Sequence, residues 1–164
     1  MDHDFYPDSY LRDILTEVRT IAILGASPRP ERPSHGVMAY LKRRGYRTIP
    51  VNPFAAGGTI NGEYCYAALA EVPEPIDMVD VFRRSAAAGE AVDAAIAKGA
   101  KIVWMQLGVR DDQAAARAEA HGLKVVMNRC PAIEIPRLGV PMYRPHPPAD
   151  AGECCRRKRQ PCRS

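Results

Sequence analysis

The chain has 164 residues, 46% of them hydrophobic and 26% charged, with a formal net charge of +4. Such a length and balance suit one globular domain with a full core, and exclude a fibrous or wholly disordered chain. No apolar run approaches the roughly 20 residues that span a bilayer, and the acidic start Met1-Asp2-His3-Asp4-Phe5 lacks the features of an export signal, so a cytoplasmic protein with no membrane role is expected.

Leu11, Ile14, Leu15 and Val18 stand at helical spacing, which predicts an amphipathic helix over 8–19 with Asp8 or Ser9 as its cap. Thr20 to Leu24 is apolar on both faces, as a central parallel strand should be. A loop with two Arg and three Pro follows, and a helix capped by Ser34 runs to Gly45. Tyr46 to Val51 reads as the second strand, closed by Asn52-Pro53. Phe54 to Gly62 reads as a loop, Glu63 to Leu69 as a short helix, and Pro73 and Pro75 as a turn. Ile76 to Phe82 is the third strand, followed by a helix from Ser85 to about Lys98. Lys101 to Leu107 is the fourth strand, followed by an Ala-rich helix capped by Asp111 and ending at His121. Leu123 to Met127 is the fifth, leading into Asn128-Arg129-Cys130-Pro131.

Five alternations of strand and helix predict an α/β, Rossmann-like fold. It is a doubly wound parallel sheet of five strands with an extra N-terminal helix, occupying residues 1–144. Residues 145–164 hold four Pro and almost nothing apolar, and are expected to be a disordered tail. Arg156, Arg157, Lys158, Arg159 and Arg163 face only Asp150 and Glu153 there, so three of the four net positive charges belong to the tail. The high overall charge therefore points only weakly to nucleic acid. Five Cys at scattered spacing (Cys65, Cys130, Cys154, Cys155, Cys162) do not make a disulfide framework, and no His follows the tail cysteines at zinc-site spacing.

Right-handed crossovers bring all strand C-termini to one edge, where a ligand crevice opens. Gly25-Ala26-Ser27, Asn52-Pro53, Phe82-Arg83-Arg84, Gln106-Leu107-Gly108 and Asn128-Arg129-Cys130 converge there. A strand, a small-residue turn and the helix beginning at Ser34 form a place for an anion, and Arg29 and Arg32 flank it. A dinucleotide site wants Gly-x-Gly-x-x-Gly and an acidic residue ending the second strand; this chain has Gly25 alone and Asn52. Neither a P-loop nor a Gly-x-Ser-x-Gly elbow occurs. His3, His35, His121 and His146 complete no catalytic set, so a binding role is favoured over catalysis. Arg83 and Arg84 read equally as ligand contacts or a solvated strand end. Trp104 reads as core, and Gln106, a polar residue closing an apolar strand, calls for a partner. Cys130 reads either as a small packed residue or as a thiol activated by Arg129.

Five segments taken together resemble the stand-alone, YccU-like CoA-binding protein family, which is similar to the N-terminal domain of the succinyl-CoA synthetase alpha subunit. They are Gly25-Ala26-Ser27-Pro28-Arg29-Pro30 with Pro33-Ser34, Gly45-Tyr46 with Ile49 to Pro53, Val79 to Arg83, Val103 to Gly108, and Val126 to Glu134. The resemblance covers about residues 8–139. It implies a Rossmann-like fold that binds coenzyme A or an acyl-CoA, with Gly25, Ala26 and Ser27 at the phosphates, Asn52 and Pro53 along the adenosine, and Val81, Phe82 and Arg83 along the nucleotide. Together with Arg29, Arg32, Ser34 and Gln106 these are the expected binding residues. The synthetase's phosphorylated His and its partner subunit have no counterpart here, so ligase chemistry does not follow. A NAD(P)-dependent oxidoreductase and a CoA-ligase or transferase component working with a partner subunit stand as the alternatives, and homo-oligomerisation is left open.

Overall fold

The apolar runs of the sequence pack as strands whose side chains are buried on both faces, and this decides the layering. The computed structural model describes residues 1–144; the tail expected at 145–164 lies outside the described residues. The strands are β1 (Thr20–Leu24), β2 (Arg47–Val51), β3 (Thr59–Ile60), β4 (Glu63–Tyr64), β5 (Met78–Val81), β6 (Ile102–Met105) and β7 (Lys124–Val126). The helices are α1 (Asp8–Glu17), α2 (Pro33–Arg43), α3 (Ser85–Lys98), α4 (Asp112–Ala120) and α5 (Pro131–Leu138). Five strands form one parallel sheet in the order β2-β1-β5-β6-β7. The chain leaves β1 in one direction for β2 and later returns to β5 on its other side. The switch point, where ligands lie in such sheets, is therefore between β1 and β5.

Alternate strand residues feed two cores. Ala22, Leu24, Val79, Val81, Val103 and Met105 meet the small Ala face of α3 and α4. Ile21, Ile23, Met78, Ile102 and Trp104 meet α1, α2 and α5. Trp104 is fully buried and its indole N–H donates to Arg129 O at 2.8 Å, so its polar atom is satisfied. Tyr6, ahead of α1, is buried in the second core, and its hydroxyl accepts the Met127 N–H at 2.8 Å.

Two local expectations are corrected, and one element is added. Glu63 to Leu69 is not a helix. Thr59–Ile60 and Glu63–Tyr64 form a hairpin across Asn61 and Gly62, both at positive φ, and a single 3-10 turn covers Leu69–Glu71. Asn-Gly between short strands is the turn signal that outweighs helical spacing here. The hairpin leads into Tyr66, whose N–H donates to Pro50 O at 3.1 Å, and this covers the outer edge of β2. Second, Ser34, Ser85 and Asp8 each lie just inside a helix instead of capping it, and only Asp111 caps, accepting the Ala114 N–H at 2.9 Å. Tertiary partners take the other three: Ser34 holds the loop after β1, Ser85 the loop after β6, and Asp8 pairs with Arg137. The added element, Pro131–Leu138, is a helix that the sequence pattern does not announce; it packs on α1 and α2 and closes the second core.

Candidate functional site

Gly25 is where β1 must stop. Its N–H donates to Val51 O at 2.9 Å, and the Phe82 N–H donates to Leu24 O at 2.8 Å, so β1 stays bonded to both neighbours up to its end. Gly25 has φ +91°, and a Cβ there would lie 2.2 Å from the Phe82 carbonyl oxygen. Only glycine meets both conditions without strain.

The chain then forms a hoop held from inside. The Ser27 N–H donates to Ser34 Oγ at 3.0 Å, the Arg29 N–H to Ser27 Oγ at 3.2 Å, and the Arg32 N–H to Arg29 O at 3.1 Å. The start of α2 offers fewer free donors than an ordinary helix. Pro33 has none and the His35 N–H returns to Arg32 O, which leaves that of Ser34. On the β2 side, Asn52 Nδ2 donates to Ala26 O at 2.7 Å while its Oδ1 accepts the Phe54 N–H at 2.9 Å. On the β6 side, Asn128 sits at φ 54° with its Oδ1 accepting the Gly108 N–H at 2.8 Å, and Ser85 Oγ donates to Gly108 O at 3.3 Å.

Between these walls lies a crevice of about 970 Å³, at the upper end of small-molecule sites. Gly25, Ser27, Arg29, Arg32, Ser34, Asn52, Phe82, Arg83 and Gln106, nine of the residues expected from sequence, line it. Ala26, Pro53 and Val81 do not. Ala26 and Val81 are fully buried, one in each core, and Pro53 turns outward beside them. Val37, Phe54, Ala55 and Val109, which strand-end position does not select, add an apolar share beside Leu107, which it does. Arg29, Arg32, Arg83 and Arg84 all face this crevice. None of the four forms an ion pair with a carboxylate among the described residues, and no Asp or Glu among them lines the site.

Gln106 of the lining belongs to a buried polar pair. Asp80 of β5 is fully buried, and Gln106 Nε2 donates to its Oδ1 at 2.8 Å and its Oδ2 at 3.0 Å. Burial drives the Asp80 carboxyl up to about 8, against the opposing pull of the Gln106 hydrogen bond. Cys130, at the N-cap of α5, also lines the crevice but is buried. Of the two readings of Cys130, its burial and surroundings favour the packed residue over the activated thiol. Burial raises the Cys130 thiol, Asp80 and Glu134 add to this, and the N–H groups of Ala132 and Ile133 only partly offset it. The Arg129 guanidinium lies instead over the Tyr6 ring, 5.5 Å from its centre.

Residues 19–136 match the family described as CoA binding domain. The chain is 34% identical over 123 residues, 73% of its own length and 87% of the other's, to the uncharacterized protein YneT of Bacillus subtilis (strain 168). It is similar to the solved structure of a hypothetical protein from Pyrococcus horikoshii OT3, at 40% identity and TM-score 0.78, covering 84% of this chain and 96% of that one. A Thermus thermophilus protein, cell-free ID.343, is 38% identical with TM-score 0.77, covering 81% of this chain and 99% of that one.

Proposed function

The chain belongs to the CoA binding domain family, and from that premise we propose that its crevice binds coenzyme A or an acyl-CoA without covalent chemistry of its own. The observation that carries this reading is the set of four arginines without carboxylate partners among the described residues, gathered around one crevice that no acid lines. Coenzyme A has a diphosphate and a 3′-phosphate, about four negative charges near neutral pH, and four guanidinium groups match that number. A nicotinamide dinucleotide without the extra phosphate offers less charge. It also seeks an acidic residue at the end of β2, where this chain has Asn52, already bonded to backbone on both sides.

In this reading Arg29 and Arg32, with the Ser34 N–H, meet the diphosphate, and Asn52 supports the adenosine side. Arg83 lies along the nucleotide. Val37, Phe54, Leu107 and Val109 give the pantetheine arm or an acyl chain an apolar wall. The Cys130 thiol supplies no activated nucleophile, because its surroundings push it toward the neutral form.

Thermal unfolding tests the reading. A ligand that binds only the folded state at 100 times its Kd adds about 2.7 kcal/mol, which for a chain of this size raises Tm by roughly 5–11 °C. Coenzyme A should produce such a shift, and NAD or NADP at the same concentration should produce little. An equal response to NAD would overturn the assignment. Within the site, replacing both Arg29 and Arg32 by Ala should weaken coenzyme A more than pantetheine, which has no phosphate. Equal weakening would show that the hoop is not the phosphate cradle.

A further inference from the structure

Gln106 and Asp80 form a polar feature of the crevice that charge matching leaves unused. Both are nine-tenths buried or more, yet Gln106 lines a site open to solvent and joins Asp80, behind it, to that site. The Gln106 amide places its nitrogen between the two Asp80 oxygens. Its other end, Oε1, has no hydrogen-bond partner among the described residues and is not sealed from solvent. An amide locked at one end presents a single chemistry at the other. While Asp80 is a carboxylate it accepts only, so nitrogen must face it and the carbonyl oxygen must face the crevice. Once Asp80 is protonated it has a hydrogen to donate, and the favoured partner is that carbonyl oxygen; the amide then turns and shows its NH2 to the crevice.

We propose that Gln106 is a specificity-determining residue whose carbonyl oxygen accepts an amide N–H of the pantetheine arm, and that Asp80 is the positioning residue that sets which end of the amide the ligand meets. This rests on the crevice being the coenzyme A site. The hoop at Arg29 and Arg32 follows β1, and Gln106 follows β6, two strands away across β5. At the usual strand spacing that is about 10 Å, within reach of the arm's amides from a diphosphate seated in the hoop.

The pair also ties binding to a proton. Ile23 and Trp104 flank Asp80 across the sheet. The buried faces that α1 and α2 turn to this core carry no charge: Leu11, Ile14 and Leu15 from one, Ser34, Met38 and Leu41 from the other. From α5 come Cys130, whose thiol is held neutral, and Glu134, which pairs with Arg137 at 2.6 Å. No cation faces Asp80 from these elements, so its charge is stabilised mainly by the Gln106 amide. A ligand N–H on Oε1 favours the carboxylate orientation, and the Asp80 proton leaves to solvent as the ligand binds.

Calorimetry of coenzyme A and of adenosine 3′,5′-diphosphate, which lacks the arm, tests this between pH 6 and 9. For the natural protein, coenzyme A affinity should rise with pH by up to tenfold per unit and level off above about 8. The 3′-phosphate also titrates near pH 6, and Asp80→Asn provides the reference profile, because it keeps the size but has no proton to lose. In Asp80→Asn the rise above pH 7 should vanish. Gln106→Met should weaken coenzyme A about tenfold and leave adenosine 3′,5′-diphosphate unchanged. A rise that persists in Asp80→Asn, or equal losses for the two ligands in Gln106→Met, would overturn the inference while the site reading stands. Failure of the natural protein to bind coenzyme A would overturn both.

Discussion

Gly25 is the most constrained backbone position of the crevice, and replacing it by Ala has a cost that can be worked out. Two effects add. A residue with a Cβ at φ +91° bears about 1–2 kcal/mol of left-handed strain. The new Cβ would also lie 2.2 Å from the Phe82 carbonyl oxygen, which is backbone and cannot swing away, so β1 and β5 must separate. That separation weakens the Phe82 N–H to Leu24 O bond at 2.8 Å and the Gly25 N–H to Val51 O bond at 2.9 Å, at about 1 kcal/mol each. The total is roughly 3–4 kcal/mol, or about 6–16 °C in Tm for a chain of this size. Gly108→Ala is the control. Gly108 has φ +79° and nothing within 4 Å of the position a Cβ would take, so it bears the strain alone, about 2–8 °C. Paired thermal melts by circular dichroism measure both. Equal shifts in the two variants would refute the claim that close approach between β1 and β5, rather than backbone angle, makes Gly25 irreplaceable.

Asp80 should make stability depend on pH. Its carboxyl is raised from an ordinary 3.8 to about 8 in the fold, so between those values the folded chain keeps a proton that the unfolded chain has lost. Stability from this group is complete below about pH 4 and falls by at most about 1.4 kcal/mol per unit up to about 8; urea melts of Asp80→Asn should lack that slope, and parallel profiles would refute it. Cys130, buried and shifted toward the neutral thiol, should react with iodoacetamide at pH 7.5 far more slowly in the native protein than in urea; equal rates for its peptide by mass spectrometry would contradict the burial. Asn128→Gly keeps the positive φ and loses the bond to Gly108, at about 1 kcal/mol, whereas Asn128→Ala loses both, at about 2–3 kcal/mol; denaturant midpoints should rank them in that order.

The sheet was legible because its strands are buried on both faces and therefore appear as unbroken apolar runs, each ended by a polar or small residue. Thr20–Leu24 and Met78–Val81 show why: with helices on both sides no alternation is needed, and the run itself marks the strand. The hairpin at Thr59–Tyr64 was not legible from periodicity, since two strands of two residues carry none; its one signal was Asn61-Gly62. Helix α5 was hidden because Pro136 interrupts its pattern, though the missing N–H falls near the end of a short helix. For the site, strand-end position picked out residues that line the crevice, while the side chains of Ala26, from a strand end, and Val81, from the family resemblance, point one into each core. Asp80 carries no signal of its own, because it sits inside an apolar strand, and no sequence pattern distinguishes a buried carboxyl with a partner from one exposed at an edge.

The polar residues around the crevice divide into two groups with different physical roles. Ser34, Asn52, Ser85 and Asn128 have their side chains bonded to backbone, and each holds one loop to another. Arg29, Arg32, Arg83 and Arg84 are held by no carboxylate partner among the described residues and face the cavity. The shape of the site is thus set before a ligand arrives, while its charge rests on long side chains that must be ordered on binding. Each immobilised arginine costs about 0.5–1.5 kcal/mol, and the attraction must exceed this. Arg29, Arg32 and Arg84 are exposed, so salt screens that attraction. Affinity for coenzyme A should therefore fall steeply between 50 mM and 500 mM NaCl, while pantetheine, which meets only the fixed walls, should be nearly indifferent. Salt-independent binding of coenzyme A would mean that the arginines contribute packing rather than charge, and the matching of four guanidinium groups to its phosphates would lose its force.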